Sequence, residues 1–241
     1  MFFSFPLRKD QLMNPQELAR HIQYTNVGPE MTRDQVVAHC EASLQYGFDA
    51  AMLAPCWAPL ALDILRGSST HVASAFSFPS GNDSTAMKVA MVRALLADGV
   101  LDFDFTANTG YILSGLEKEF FADLKAVADA ARAGGAQSKV ILEFGLLPGE
   151  NLRRRAAELA VEAGIDFLKQ SSGFVKGVPA MPEDITFLHQ VAAGRAKVKA
   201  SGKIDSLAKA EALLAAGASL LGTSAAVAIV TNAQPGITAA Y

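Results

Sequence analysis

Ile165-Asp-Phe-Leu-Lys-Gln-Ser-Ser-Gly173 and Ala196-Lys-Val-Lys-Ala-Ser-Gly202 are two short apolar runs, and the amphipathic stretch Glu183–Ala193 lies between them. Strand, helix, strand in that order is the repeating unit of a parallel sheet. Each run carries a lysine near its end, Lys169 and Lys199. Burial among apolar neighbours disfavours a charged ammonium, and two converging lysines each make the other harder to protonate. A lysine amine that is neutral near physiological pH attacks carbonyls and forms Schiff bases.

Further apolar runs lie at His21–Thr25, Asp49–Ala54, Val72–Phe78, Leu101–Thr106, Lys139–Phe144 and Ser219–Gly222, which makes eight. Alanine-rich helical patterns separate most of them: Arg33–Tyr46, Met87–Asp98, Glu117–Ala133, Leu152–Ala163 and Leu207–Ala215. Gly47, Gly99, Gly134, Gly164, Gly194 and Gly217 follow these stretches, where a helix end favours a left-handed residue. The count predicts a single α/β domain over residues 1–241, an eight-stranded (β/α)8 TIM barrel. Residues 1–20 form an N-terminal extension in which Pro15–Arg20 is a short helix capped by Asn14, covering the barrel bottom. Residues 233–241 read as a mobile tail. The rival, a doubly wound sheet, lacks a Gly-x-Gly-x-x-Gly turn after the first strand.

Hydrophobic residues make up 51% of the 241-residue chain, enough for a large core. A net charge of −3 argues against a general nucleic-acid surface but not against a local anion site. Cys40 and Cys56 are expected as buried free thiols. Met1–Asp10 is apolar for too few residues to make a signal segment, and no later run is long enough to span a bilayer. A soluble, cytoplasmic protein is the expectation.

In this architecture the active site lies at the C-terminal ends of the strands. Asp104, Glu143, Lys169 and Lys199 are all read as late in their strands, so they share the barrel mouth. One lysine is then the nucleophile, the other a cation that depresses its pKa, and Asp104 an anchor that also moves protons through a water. Ser201-Gly202-Lys203 and Gly222-Thr223-Ser224 suit an anion, with Ser171-Ser172-Gly173 closing the pocket. His21, His39, His71 and His189 are scattered, and each is read as a surface or satisfied core residue. No metal-ligand spacing appears, and neither a metal nor a cofactor is expected.

These segments, in this order, resemble the deoxyribose-phosphate aldolase family of class I aldolases. The resemblance runs from about His21 to Ile229 and rests on Ser77-Phe-Pro-Ser-Gly81, Asp102-Phe-Asp-Phe-Thr-Ala-Asn-Thr-Gly110, Lys139-Val-Ile-Leu-Glu143, Ala163–Phe174, Val198–Gly202 and Gly222-Thr-Ser224. It implies Lys169 as the Schiff-base lysine, Lys199 as the residue that tunes it and Asp104 as the proton relay. It implies a role at the enamine carbon for the terminal Tyr241. The implied reaction is reversible cleavage of 2-deoxyribose 5-phosphate to acetaldehyde and glyceraldehyde 3-phosphate. Its partners are small aldehydes and sugar phosphates, with no nucleic acid or membrane; the outer helices fit a monomer or a homodimer.

The chain departs from the family where substrate is recognised. The usual Asp-His-Thr of the first strand reads Gln23-Tyr24-Thr25, so only Thr25 remains. A loop that is usually Gly-Gly-Ile-Arg reads Gly202-Lys203-Ile204-Asp205, with Asp205 expected to cap the next helix. Met91 stands where a glutamate is common, and the second strand lacks the usual cysteine. The alternatives are a Schiff-base aldolase or lyase acting on a non-phosphorylated or keto-acid substrate, and a silent barrel that binds a sugar phosphate.

Overall fold

A computed structural model describes residues 13–174 and 178–233. Its strands are β1 (Ile22–Asn26), β2 (Ala50–Leu53), β3 (His71–Phe76), β4 (Asp102–Thr106), β5 (Gln137–Ile141), β6 (Phe167–Lys169), β7 (Lys197–Ser201) and β8 (Leu220–Thr223). They close in sequence order into a parallel barrel, with β8 paired back to β1. The expected TIM barrel is the observed one. Outside it run α2 (Arg33–Tyr46), α3 (Ala58–Ile64), α4 (Thr85–Asp98), α6 (Glu117–Ala133), α7 (Glu150–Ala163), α8 (Pro182–Ala192) and α9 (Leu207–Ala215). Short α5 (Thr109–Leu113) and α10 (Ala226–Thr231) follow β4 and β8. Helix α1 (Pro15–Ala19) precedes β1; Asn14 caps it by accepting from Gln16 N, and Leu18 and Ala19 are buried beneath it.

Local chemistry sets these boundaries. Thr32 and Gln35 form a reciprocal capping box at the start of α2, and Ser84 accepts from Met87 N at the start of α4. Helices α2, α4 and α7 stop on left-handed Gly47, Gly99 and Gly164. Gly134 is the exception among the expected stops: its φ is −94°, and Gly135 takes the left-handed step instead. Helices α3, α5 and α10 escaped the sequence reading because they span only five to seven residues, too few to show a helical period.

The two-residue period of the strands separates two kinds of interior. Outward residues such as Phe76, Phe103, Phe105, Val140, Leu168, Val198 and Leu221 join the apolar layer under the helices. Within the barrel, Ala50, Met52, Ala73 and Ala75 of β2 and β3 make a small apolar cluster of their own. Six other inward positions are polar or charged: Gln23, Asp102, Asp104, Lys139, Lys169 and Lys199 are all buried. One further ion pair, Lys88 Nζ to Asp123 Oδ2 at 2.6 Å, is buried between α4 and α6, and Thr85 Oγ1 donates to the other oxygen of Asp123. Of the two cysteines, Cys40 is buried and burial pushes its thiol up to about 11, whereas Cys56 is exposed on a short turn, contrary to expectation.

Candidate active site

Lys169 is the last residue of β6 and pairs in register with Lys199 on β7. Asp104 and Lys199 are each third of five residues in their strands, so they lie inside the barrel rather than at its rim. The three meet across the interior, since β4 is neighbour to neither β6 nor β7. Lys169 Nζ donates to Asp104 Oδ2 at 2.7 Å. Lys199 Nζ donates to both Asp104 oxygens, at 3.0 and 2.8 Å, and to Gln23 Oε1 at 2.6 Å.

The two lysines therefore differ. An ammonium has three donors, and Lys199 finds three acceptor atoms while Lys169 finds one. Lys199 is fully buried, whereas 7% of the Lys169 side chain faces solvent. Burial lowers the pKa of Lys169, and the Lys199 charge lowers it further against the opposing pull of Asp104. Burial alone would raise the Asp104 carboxyl, but the two ammonium groups bring it below its ordinary value.

Below this trio lies a second polar layer that sequence reasoning missed. Gln23 Nε2 donates to Asp49 Oδ2 at 2.9 Å and to Asp102 Oδ2 at 2.8 Å. Lys139 Nζ pairs with Asp102 Oδ1, and His71 Nε2 lies 2.8 Å from Asp102 Oδ2. His71 is thus not an isolated histidine but part of the barrel floor; burial lowers its pKa, with Asp49 opposing and Lys139 and Lys199 assisting. Lys139 is held well below the usual lysine value by burial first and the neighbouring Lys199 charge second. Asp49, His71 and Asp102 bring ligand-type atoms within 4.8 Å of one another, but Gln23 and Lys139 already serve their carboxylates. The available signal was the spacing Asp102-x-Asp104, which puts both carboxylates on one face of β4.

At the mouth, Gly222 lies against the key lysine: a Cβ there would sit 3.2 Å from Lys199 Cε and 3.7 Å from Thr25 Oγ1. Thr25 Oγ1 donates to Gln23 O at 2.9 Å. Thr223 Oγ1 donates to Ile204 O and accepts from Ala225 N, tying the β7 and β8 loops together, and Ser224 beside it is exposed. Gly202 is left-handed at φ 110° and Lys203 at 49°, with the Lys203 side chain exposed. Asp205 is exposed and does not cap α9; Ser206 holds the N-cap position, without a side-chain bond. Ser172 N donates to Glu143 Oε2 at 3.0 Å, and Gly173 N donates to Ser171 Oγ. Glu143 is not in β5 as expected but two residues past it, left-handed at φ 51°, at the head of the turn Phe144–Leu146. Tyr241 and residues 234–241 lie outside the described residues.

No helix among the described residues is long and apolar enough to cross a membrane. The chain is 35% identical over 213 residues to a deoxyribose-phosphate aldolase of a Geobacillus species, covering 88% of this chain and 94% of the relative. It is 36% identical over 223 residues to that of Thermococcus kodakarensis, covering 92% and 99%. The solved deoxyribose phosphate aldolase of Aeropyrum pernix, described as a tetramer, superposes with a TM-score of 0.80 at 27% identity, over 91% of this chain and 92% of that one. The DeoC/LacD family aldolase model matches residues 25–232, a span that includes Asp104, Lys169 and Lys199, and the chain belongs to that family of carbon–carbon lyases.

Proposed function

We propose that this aldolase reversibly cleaves 2-deoxyribose 5-phosphate to acetaldehyde and glyceraldehyde 3-phosphate through a Schiff base on Lys169. The observation that carries the assignment is the unequal satisfaction of the two lysines. Lys199, with three acceptors, is held as the neighbouring cation; Lys169, with one acceptor and a partly exposed head, is the amine free to attack. The names of the relatives support the substrate.

In the cleavage direction Lys169 Nζ adds to C1 of the open-chain sugar, and the carbonyl oxygen leaves as water to give a protonated imine. Asp104, through a bound water, takes the proton of the C3 hydroxyl. The C2–C3 bond breaks, C3 becomes the new aldehyde and the bonding pair moves into the imine to form an enamine. Protonation at C2 and hydrolysis release acetaldehyde and free Lys169. The protonated imine is itself the electron sink, so this route calls for no metal or cofactor. The phosphate is assigned to Gly202, Lys203 and the Gly222-Thr223-Ser224 loop, with Ser172, Gly173 and Thr25 beside the sugar and Tyr241 assisting at the enamine carbon. A cytoplasmic monomer or homodimer completes the reading.

Borohydride reduction with acetaldehyde tests it: a mass increment on the peptide containing Lys169 is expected. An unmodified Lys169, under conditions that trap a known class I aldolase, overturns the assignment.

A further inference from the structure

Asp102 is the first residue of β4, at the end of the barrel opposite the mouth. With His71 it lines a cavity of about 570 Å³ at the starts of β3, β4 and β5. Lys169 is the last residue of β6, so a substrate joined to it lies at the other end. The Asp102 carboxylate is nevertheless only two hydrogen bonds from Lys199. Its Oδ2 accepts from Gln23 Nε2 at 2.8 Å, and Gln23 Oε1 accepts from Lys199 Nζ at 2.6 Å. Asp104 then joins Lys199 to Lys169.

Lys199 has no donor to spare. It is fully buried and its three donors meet three acceptor atoms, so water cannot stand in for one that is lost. The acceptor from Gln23 exists in only one setting of its amide. Turned over, the same side chain aims N–H at an ammonium and its oxygen at two carboxylates. Those carboxylates hold the setting unequally. Asp49 is exposed over 26% of its side chain and can rotate. Asp102 is exposed over only 5%, its Oδ1 is taken by Lys139, and His71 Nε2 lies 2.8 Å from the same Oδ2 that Gln23 uses. Asp102 cannot turn.

We propose that Asp102 is a positioning residue for the aldolase reaction: from the barrel floor it sets the Gln23 amide, the amide holds Lys199 as an ammonium, and that ammonium keeps Lys169 reactive. This rests on Lys169 being the Schiff-base residue. The other charged groups about the two lysines are Asp104 on β4, Lys139 on β5 and Glu143 beyond it, with Asp49 and His71 on the floor. Loss of the Asp102 charge, acting through its field alone, makes each ammonium easier to deprotonate. The acidic limb of Lys169 reactivity then moves to lower pH. Loss of the Gln23 acceptor instead destabilises the Lys199 cation and relieves Lys169 of its repulsion, which moves the limb to higher pH. The two effects have opposite signs.

The test is the rate of borohydride trapping at Lys169 by acetaldehyde as a function of pH. Asp102→Asn keeps an oxygen for Lys139 and turns an amide nitrogen on Gln23, whose own amide must then invert. Its acidic limb is expected about one pH unit higher than in wild type, the scale of one hydrogen bond to a charged group. Asp49→Asn removes the same charge beside the same glutamine, but its amide can turn an oxygen to Gln23 Nε2, so its limb should stay or move down. Adding Gln23→Glu to Asp102→Asn restores an acceptor both for Lys199 and for the new amide, and should return the limb towards wild type. A limb that Asp102→Asn leaves in place or moves down overturns the proposal. An equal upward shift in Asp49→Asn, or a shift that the double variant retains, does so too. Gln23→Met removes the acceptor and leaves both carboxylates, so its limb should also rise; an unmoved limb there ends the proposal even if Asp102→Asn does not fold. Failure of wild-type Lys169 to be labelled at any pH would remove the Schiff-base reading as well.

Discussion

Lys199 Nζ donates to Gln23 Oε1 at 2.6 Å, and the direction of that bond is forced. The amide nitrogen of Gln23 faces Asp49 and Asp102, two carboxylates that only accept, so its oxygen must face the lysine. One glutamine thus fixes the donors of Lys199 and joins the layer of Asp104, Lys169 and Lys199 to the barrel floor.

Gln23→Leu removes an acceptor from Lys199 and a shared donor from two carboxylates. A loss of about 2–3 kcal/mol in stability is expected from the groups left unpaired. Denaturant titration measures it, and a change below the measurement error would show that water replaces the amide.

The Lys199 charge helps to hold Lys169 below its ordinary value. Lys199→Met removes that charge, so the pKa of Lys169 rises and less of it is neutral at a given pH. The acidic limb of the trapping rate against pH should move to higher pH. An unmoved limb would show that burial alone tunes Lys169.

Asp104 is, among the described residues, the one carboxylate paired with both lysines. Asp104→Asn keeps the shape but cannot take a proton, and a fall in kcat of about 10²–10⁴-fold is expected for a lost acid–base group. Steady-state cleavage assays decide this, and an unchanged kcat would move the relay elsewhere.

Between α4 and α6, Lys88→Met strands Asp123 as a lone buried charge, with an expected loss of about 3–5 kcal/mol. The double change Lys88→Met with Asp123→Leu should recover most of it. Equal melting temperatures for the single and double variants would contradict this account.

His39 is stacked on Tyr24 at 4.0 Å and its Nε2 donates to Tyr24 O, and burial lowers its pKa to about 4. The unfolded chain binds the proton more readily, so this histidine's contribution is complete above its ordinary value of about 6.5. It is lost as pH falls from there towards about 4, a change on the order of 3 kcal/mol. His39→Gln should flatten stability against pH in that window.

By itself the sequence pointed to the barrel, its strand order and the candidate residues Asp104, Lys169 and Lys199. Alternating apolar runs and helical stretches are local patterns, and Lys169 and Lys199 one unit apart fall on adjacent strands of any such fold. The strand-end rule grouped Asp104 with the lysines, and the family resemblance added the relay role expected of it. The tertiary structure decided the rest. His71, Asp102 and Lys139 stand on neighbouring strands β3, β4 and β5, whereas Gln23 of β1 reaches Asp102 only because closure of the barrel turns their inward faces on one another. Closure also decided which lysine is saturated with acceptors, and that Glu143 turns out of β5 to leave one oxygen unpaired. Periodicity tells which way a side chain points; only the closed barrel tells what it meets there.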